Sequence, residues 1–180
     1  MSHPATTETI EIRVHSVRQL FNSFDPSPFL EKDLDDDAED FIVGWAGELP
    51  SKAPLTLVVH VPEAELAEAR DVGLEEALAN YFIYRANTLG RHQSALLREG
   101  RIALAVGLVF LAGCTLASEA VGGLGLGAFG DIAETGLAIF GWVANWRPAE
   151  IFLYDWWPIA RRRRLYRRLA HMTVELRGAA

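Results

Sequence analysis

Several groups of residues in this chain have types and spacings that chemistry uses. Gly125-Leu-Gly127-Ala-Phe-Gly130 matches the glycine fingerprint of dinucleotide binding. That fingerprint works only between a strand and a helix, with an acid further on. Here the glycines join two apolar runs, so they read as a tight turn, with Gly123 and Gly127 allowing close helix approach. Asp33, Asp35 and Asp37 fill the first three ligand positions of a calcium loop, but Ala38 replaces its glycine and Gly44 its bidentate glutamate. They read as helix-capping acids. His15, His60 and His171 lie on or beside three expected strands, and neighbouring strands would gather them into a metal or acid–base site. Their spacing follows no ligand pattern. No Gly-x-Ser-x-Gly, His-Glu-x-x-His, phosphate loop or cysteine pair is present. The sequence therefore assigns no catalytic, cofactor-binding or metal residue.

Two further groups concern a membrane. Glu119, Glu134, Asn145 and Glu150, with Arg147, are polar residues in or beside apolar runs. Such groups either line an ion or proton path or mark where lipid ends. Arg161, Arg162, Arg163, Arg164, Arg167 and Arg168 put six arginines into eight residues. They suit phosphate, and their position just after the aromatic residues Trp142, Trp146, Tyr154, Trp156 and Trp157 favours anionic lipid headgroups over nucleic acid.

The elements that must hold these residues follow from periodicity. Residues 1–7 read as a loose end. Thr9 to Val17 alternates, with Ile10, Ile12 and Val14 on one face, as a half-buried strand does. Phe21 to Leu34 holds Asp25-Pro26 and Ser27-Pro28 and reads as a packed loop. A helix is expected from about Ala38 to Leu49, with Phe41, Ile42, Trp45 and Leu49 as its buried stripe. Leu55 to Val61 is almost continuously apolar, as suits a central strand. Pro62 then opens a long helical region, with a break expected between Arg70 and Gly73. Pro158 starts a basic helix reaching about His171, and Thr173 to Leu176 reads as a third strand. The three strands are expected to form one small sheet.

The chain has 180 residues, half of them hydrophobic, and a formal net charge of −7. Those two properties occupy different stretches. From Asp25 to Glu48 Lys32 is the only basic residue, whereas Ile102 to Trp146 contains no lysine or arginine. Ile102 to Ala117 and Ile132 to Trp146 are two apolar runs of matching length, each about 25 Å as a helix, against a hydrocarbon core of ~30 Å. Arginines flank the outer ends of the pair and only Glu119, Asp131 and Glu134 lie in or beside the connection. The positive-inside rule then sets both termini in the cytoplasm. The first twenty residues, with Glu8 and Glu11 and no apolar core, do not read as a signal peptide. The lone Cys114 reads as a small buried hydrophobe.

The expected fold is a membrane α-helical hairpin of two transmembrane helices with a small α/β cytoplasmic domain formed from both termini. Residues 1–99 form the α/β part with its long helix and 100–147 the hairpin. Residues 148–180 hold an interfacial aromatic segment, the basic helix and the last strand.

The segment Trp146-Arg147-Pro148-Ala-Glu150-Ile-Phe-Leu-Tyr154-Asp155-Trp156-Trp157-Pro158-Ile, running into the arginines, resembles a family of uncharacterised bacterial two-pass membrane proteins. Tyr81-Phe-Ile-Tyr-Arg85 resembles the same group. The resemblance implies a bacterial inner membrane and brings no activity, cofactor or site. The function expected is that of a membrane-anchored interaction or scaffold protein, in contact with anionic lipids and with a protein partner or further copies of itself. Alternatives are a homo-oligomeric channel or transport accessory and an enzyme with its site on the cytoplasmic domain.

Overall fold

The computed structural model describes residues 8–51 and 53–179; the expected loose end at 1–7 lies outside them. In chain order come β1 (Glu8–Arg13), α1 (Asp36–Glu48), β2 (Leu55–Pro62), α2 (Leu66–Asp71), α3 (Leu74–Gly122), α4 (Ala128–Val143), α5 (Trp146–Glu150), α6 (Trp156–Leu169) and β3 (Thr173–Ala179). A π-helical turn, Ile151–Asp155, joins α5 to α6, and short 3-10 turns follow β1 and β2. The protein is thus mostly helical with one small sheet. It divides into two compact units, Met1–Leu89 with Arg161–Ala180, and Gly90–Ala160. Both boundaries between the units fall inside helices, α3 and α6.

In the first unit β2 is central, with β1 and β3 paired parallel to it on either side. Its continuous apolar run suits that place, since a central strand is flanked everywhere. Ile10, Leu55, Leu57, Val59 and Val61 point to one face, where they join Ile42, Ala46, Leu78, Phe82, Tyr166 and Leu169 in the core. Gly73, at φ 71°, breaks the helical region before α3, a backbone conformation glycine adopts without penalty. The break falls where the sequence sets it. Phe21 and Leu34 close the irregular segment through an isolated antiparallel bridge.

The expected stripe of α1 needs correction. Ile42 is buried as expected, but Phe41 and Trp45 lie on the exposed side. The face turned inward carries Glu39, Ile42 and Ala46.

In the second unit α3 and α4 form an antiparallel pair. Ser118 Oγ donates to the Glu134 carbonyl at 3.0 Å, and Asn145 Nδ2 donates to the Gly107 carbonyl at 3.2 Å. Between these ties a Cβ added at Gly141 would lie 2.9 Å from Leu111 Cδ1 and 3.1 Å from Cys114 Cβ. Glycine is what lets the helices approach so closely there. The turn between them uses Gly125 and Gly127 at positive φ. Helix α4 starts at Ala128, earlier than the expected Ile132, and has 16 residues. Among the described residues one helix, α3, is long and apolar enough to cross a membrane, and only 17% of its most apolar stretch is buried.

Candidate functional site

In the second unit the polar residues gather at the two ends of the helix pair. At the turn end Ser118 holds the α4 backbone, and the Glu134 carboxylate points at Gly122, where a Cβ would lie 3.0 Å from its Oε2. Glu119 is exposed nearby on α3. At the other end Arg147 is shared by three carboxylates, Asp155 at 2.9 Å, Glu150 at 3.6 Å and Glu99 at 3.8 Å. The π-helical turn makes this possible, since it brings Asp155 back toward Arg147 eight positions earlier. It packs closely as well: a Cβ at Gly100 would meet Ile151 Cγ2 at 2.8 Å. Trp146 Nε1 donates to Glu150 at 3.0 Å. Asn145 Nδ2 also reaches the Gly141 carbonyl at 3.1 Å, so this one side chain ties two backbone carbonyls across the pair. Its Oδ1 is buried without a hydrogen-bond partner, facing the bare Cα of Gly107.

The aromatic residues flank that ionic end. Trp142, Trp146, Tyr154 and Trp157 are exposed, whereas Trp156 is half-buried and donates from Nε1 to the Phe152 carbonyl at 2.8 Å.

The six arginines of α6 do not act alike. Arg161, Arg162, Arg164 and Arg167 are exposed. Arg168 donates to the Ala53 carbonyl at 3.1 and 2.6 Å, and Arg162 donates to Tyr166 Oη at 3.1 Å. Arg163 is half-buried.

The first unit contains a cluster that sequence reasoning missed. Glu39 is 4% exposed and receives hydrogen bonds from the hydroxyls of Tyr81 and Tyr166 and from Arg85 at 2.9 Å. Arg162 stands 3.8 Å from the same carboxylate. Arg85 and Arg162 also lie over the Tyr166 ring, 5.9 and 5.6 Å from its centroid. Burial pushes the Glu39 carboxyl up, but the hydrogen bonds from Tyr166, Tyr81 and Arg85 outweigh it and hold the group below its ordinary value. Both tyrosines are pushed well above theirs, by burial first and then by the carboxylate that accepts their protons' hydrogen bonds. This carboxylate is buried among its donors. It binds α1, α3 and α6 together. The signal in the sequence was the pair of i, i+4 spacings Tyr81/Arg85 and Arg162/Tyr166, which set a phenol beside a guanidinium on one helix face.

No family model, curated protein or solved structure matches this chain. The resemblance noted around Trp146 therefore stands without a matching family, and the geometry carries the argument.

The histidines do not converge. Parallel register sets His60 opposite Arg177, whereas His171 precedes β3, about 20 Å away along the strand at ~3.3 Å per residue. His60 instead lies 3.2 Å from Glu11. Asp35 caps α1 by accepting from the Asp37 amide at 3.1 Å, which is the capping role read for the acidic turn. Among the described residues no three metal-ligating side chains come together.

Proposed function

We propose that this chain is a membrane-anchored interaction or scaffold protein of the bacterial inner membrane, held by an α3–α4 hairpin with both termini cytoplasmic. One observation carries the reading. The helix pair is apolar around most of its circumference, with Val106, Val109, Leu116, Ile132, Phe140 and Val143 all exposed, while its ionic groups are confined to the two ends. An all-round apolar helix belongs in a protein core or in lipid, and this one is not covered by its own chain. From Ile102 to Ser118 along α3 is about 24 Å. That is a thin but workable span for a ~30 Å hydrocarbon core, with the polar ends in the headgroup layer. Trp142, Trp146, Tyr154 and Trp157 are exposed toward the end of the pair that runs into the arginines, as an aromatic belt would be. Arg161, Arg164 and Arg167 are the arginines offered to anionic headgroups, since Arg162 and Arg168 are engaged within the protein.

Alkaline carbonate extraction of bacterial membranes tests the anchor: the full chain stays in the pellet. A cysteine introduced for Leu126 reacts with a membrane-impermeant maleimide from the periplasmic side, and one introduced for Ala179 does not. Recovery of the chain in the aqueous fraction, as a compact monomer without detergent, refutes the proposal.

A second reading, a homo-oligomeric channel, is favoured by Glu134, a carboxylate carried on the apolar α4. Conductance in liposomes that vanishes with Glu134→Gln supports it over the scaffold.

A further inference from the structure

We propose that the charged edge rows on the face of the three-stranded sheet opposite its main core are a contact surface for a second copy of this chain, rows of glutamate facing rows of arginine. The main core cluster lies on one side of the sheet; on the other, Thr56 and Val58 of the central strand are buried while the edge strands are exposed. On the other side the register aligns Thr9, Thr56 and Thr173, then Glu11, Val58 and Glu175, then Arg13, His60 and Arg177. The two edge strands carry nearly the same segment, Thr9-Ile-Glu-Ile-Arg13 and Thr173-Val-Glu-Leu-Arg177, and the sheet sets them level with one another. Every side chain of these edge rows is exposed. All-parallel sheets occur almost only with both faces covered. Here the charged rows of the two edge strands stay open to solvent on the second face.

The charge rows say what fits. Two copies stacked with strands antiparallel, about a two-fold axis crossing between the second and third rows, bring Glu11 over Arg13 and Glu175 over Arg177 of the other copy, twice each. Face-to-face sheets pack ~10 Å apart, a gap that an arginine and a glutamate span end to end. Stacking with strands parallel sets like rows together and is repelled. The surface is thus self-complementary in one orientation, as a two-fold interface requires. Within one chain Arg177 lies 2.8 Å from Glu175 and His60 3.2 Å from Glu11. These exposed pairs leave carboxylate lone pairs and guanidinium N–H groups for a neighbour.

The patch measures about 200–300 Å² per copy from strand spacing and rise, well below the ~800 Å² per partner of a stable soluble dimer. Confinement of two hairpins to one membrane supplies the local concentration it needs. The strength of the contact, though not its geometry, rests on the membrane reading.

The experiment co-expresses full-length chain carrying either of two tags and captures one tag to score the other after mild detergent extraction. Wild-type copies co-purify. Glu11→Arg/Glu175→Arg loses its own partner by about tenfold, and so does Arg13→Glu/Arg177→Glu, through like-charge repulsion. The two variants mixed recover capture, and wild-type capture falls as salt rises to 1 M. Either variant pairing with itself as wild type does, or a mixed pair that stays apart, overturns the proposal. Circular dichroism checks folding, and the wild-type salt series decides the matter if a variant misfolds: salt-independent capture overturns it. Carbonate extraction of the same cells reads the membrane reading separately.

Discussion

Removing the Glu39 carboxylate is the sharpest test of how the first unit is held together. In Glu39→Ala the hydroxyls of Tyr81 and Tyr166, 6% and 1% exposed, lose their common acceptor, and Arg85 loses its counter-charge. Stranding two buried phenol donors costs about 1–3 kcal/mol each, and the lost pair adds less than a fully buried one would because the Arg85 side chain is 40% exposed. Glu39→Gln keeps one acceptor oxygen and the side-chain volume, so its cost is nearer 1–3 kcal/mol. A urea titration in mild detergent, read by amide protection of β2, measures both. At a slope of about 1.5 kcal/mol per molar, the alanine variant unfolds about 2 M earlier than wild type. The acid limb gives a second readout. The folded carboxyl lies below its ordinary value of 4.5, so its contribution is complete above that pH and drains away as pH falls toward the folded value. Asp25 shows the same sign, held at about 2 by the amide of Asp33 and by Ser27. The glutamine variant keeps the Asp25 component and lacks the Glu39 one, and the difference between the two curves isolates the cluster. An alanine variant within 1 kcal/mol of wild type, or acid limbs that coincide, refutes the account of Glu39 as the tie between three helices.

Two further outcomes follow from the packing. Gly141→Leu drives a side chain into Leu111 and Cys114 and destabilises the helix pair by about 1–3 kcal/mol; limited proteolysis in detergent shows faster cleavage around 123–127 while β2 amides stay protected. Asp35→Ala removes the α1 cap at a cost of about 1 kcal/mol, measured by the same urea titration.

What the sequence reveals of this fold, it reveals where the cause is local. The break at Gly73, the central place of β2 and the cap at Asp35 each depend on a few adjacent residues, and each is found where expected. Helix α1 differs. Its apolar residues allow two faces, one through Phe41 and Trp45, the other through Ile42 and Ala46, and hydrophobicity alone favours the aromatics. The second face wins because it also carries Glu39, whose partners Tyr81, Arg85 and Tyr166 lie on α3 and α6, far along the chain. A buried acid with three donors is invisible to periodicity, which counts a glutamate as surface.

The same logic governs the hairpin. Ser118, Asn145 and Arg147 look from the sequence like isolated polar residues beside apolar runs, as an ion path or a lipid boundary equally requires. Folded, Ser118 and Asn145 each satisfy backbone carbonyls of the antiparallel pair, and the exposed Arg147 pairs with Glu99, Glu150 and Asp155. Groups used up in this way hold two helices in register and leave little to conduct an ion. Glu134, whose carboxylate lies over the bare Gly122, and the exposed Glu119 are not absorbed by this argument, and the distinction between the proposed anchor and a pore therefore turns on those two side chains.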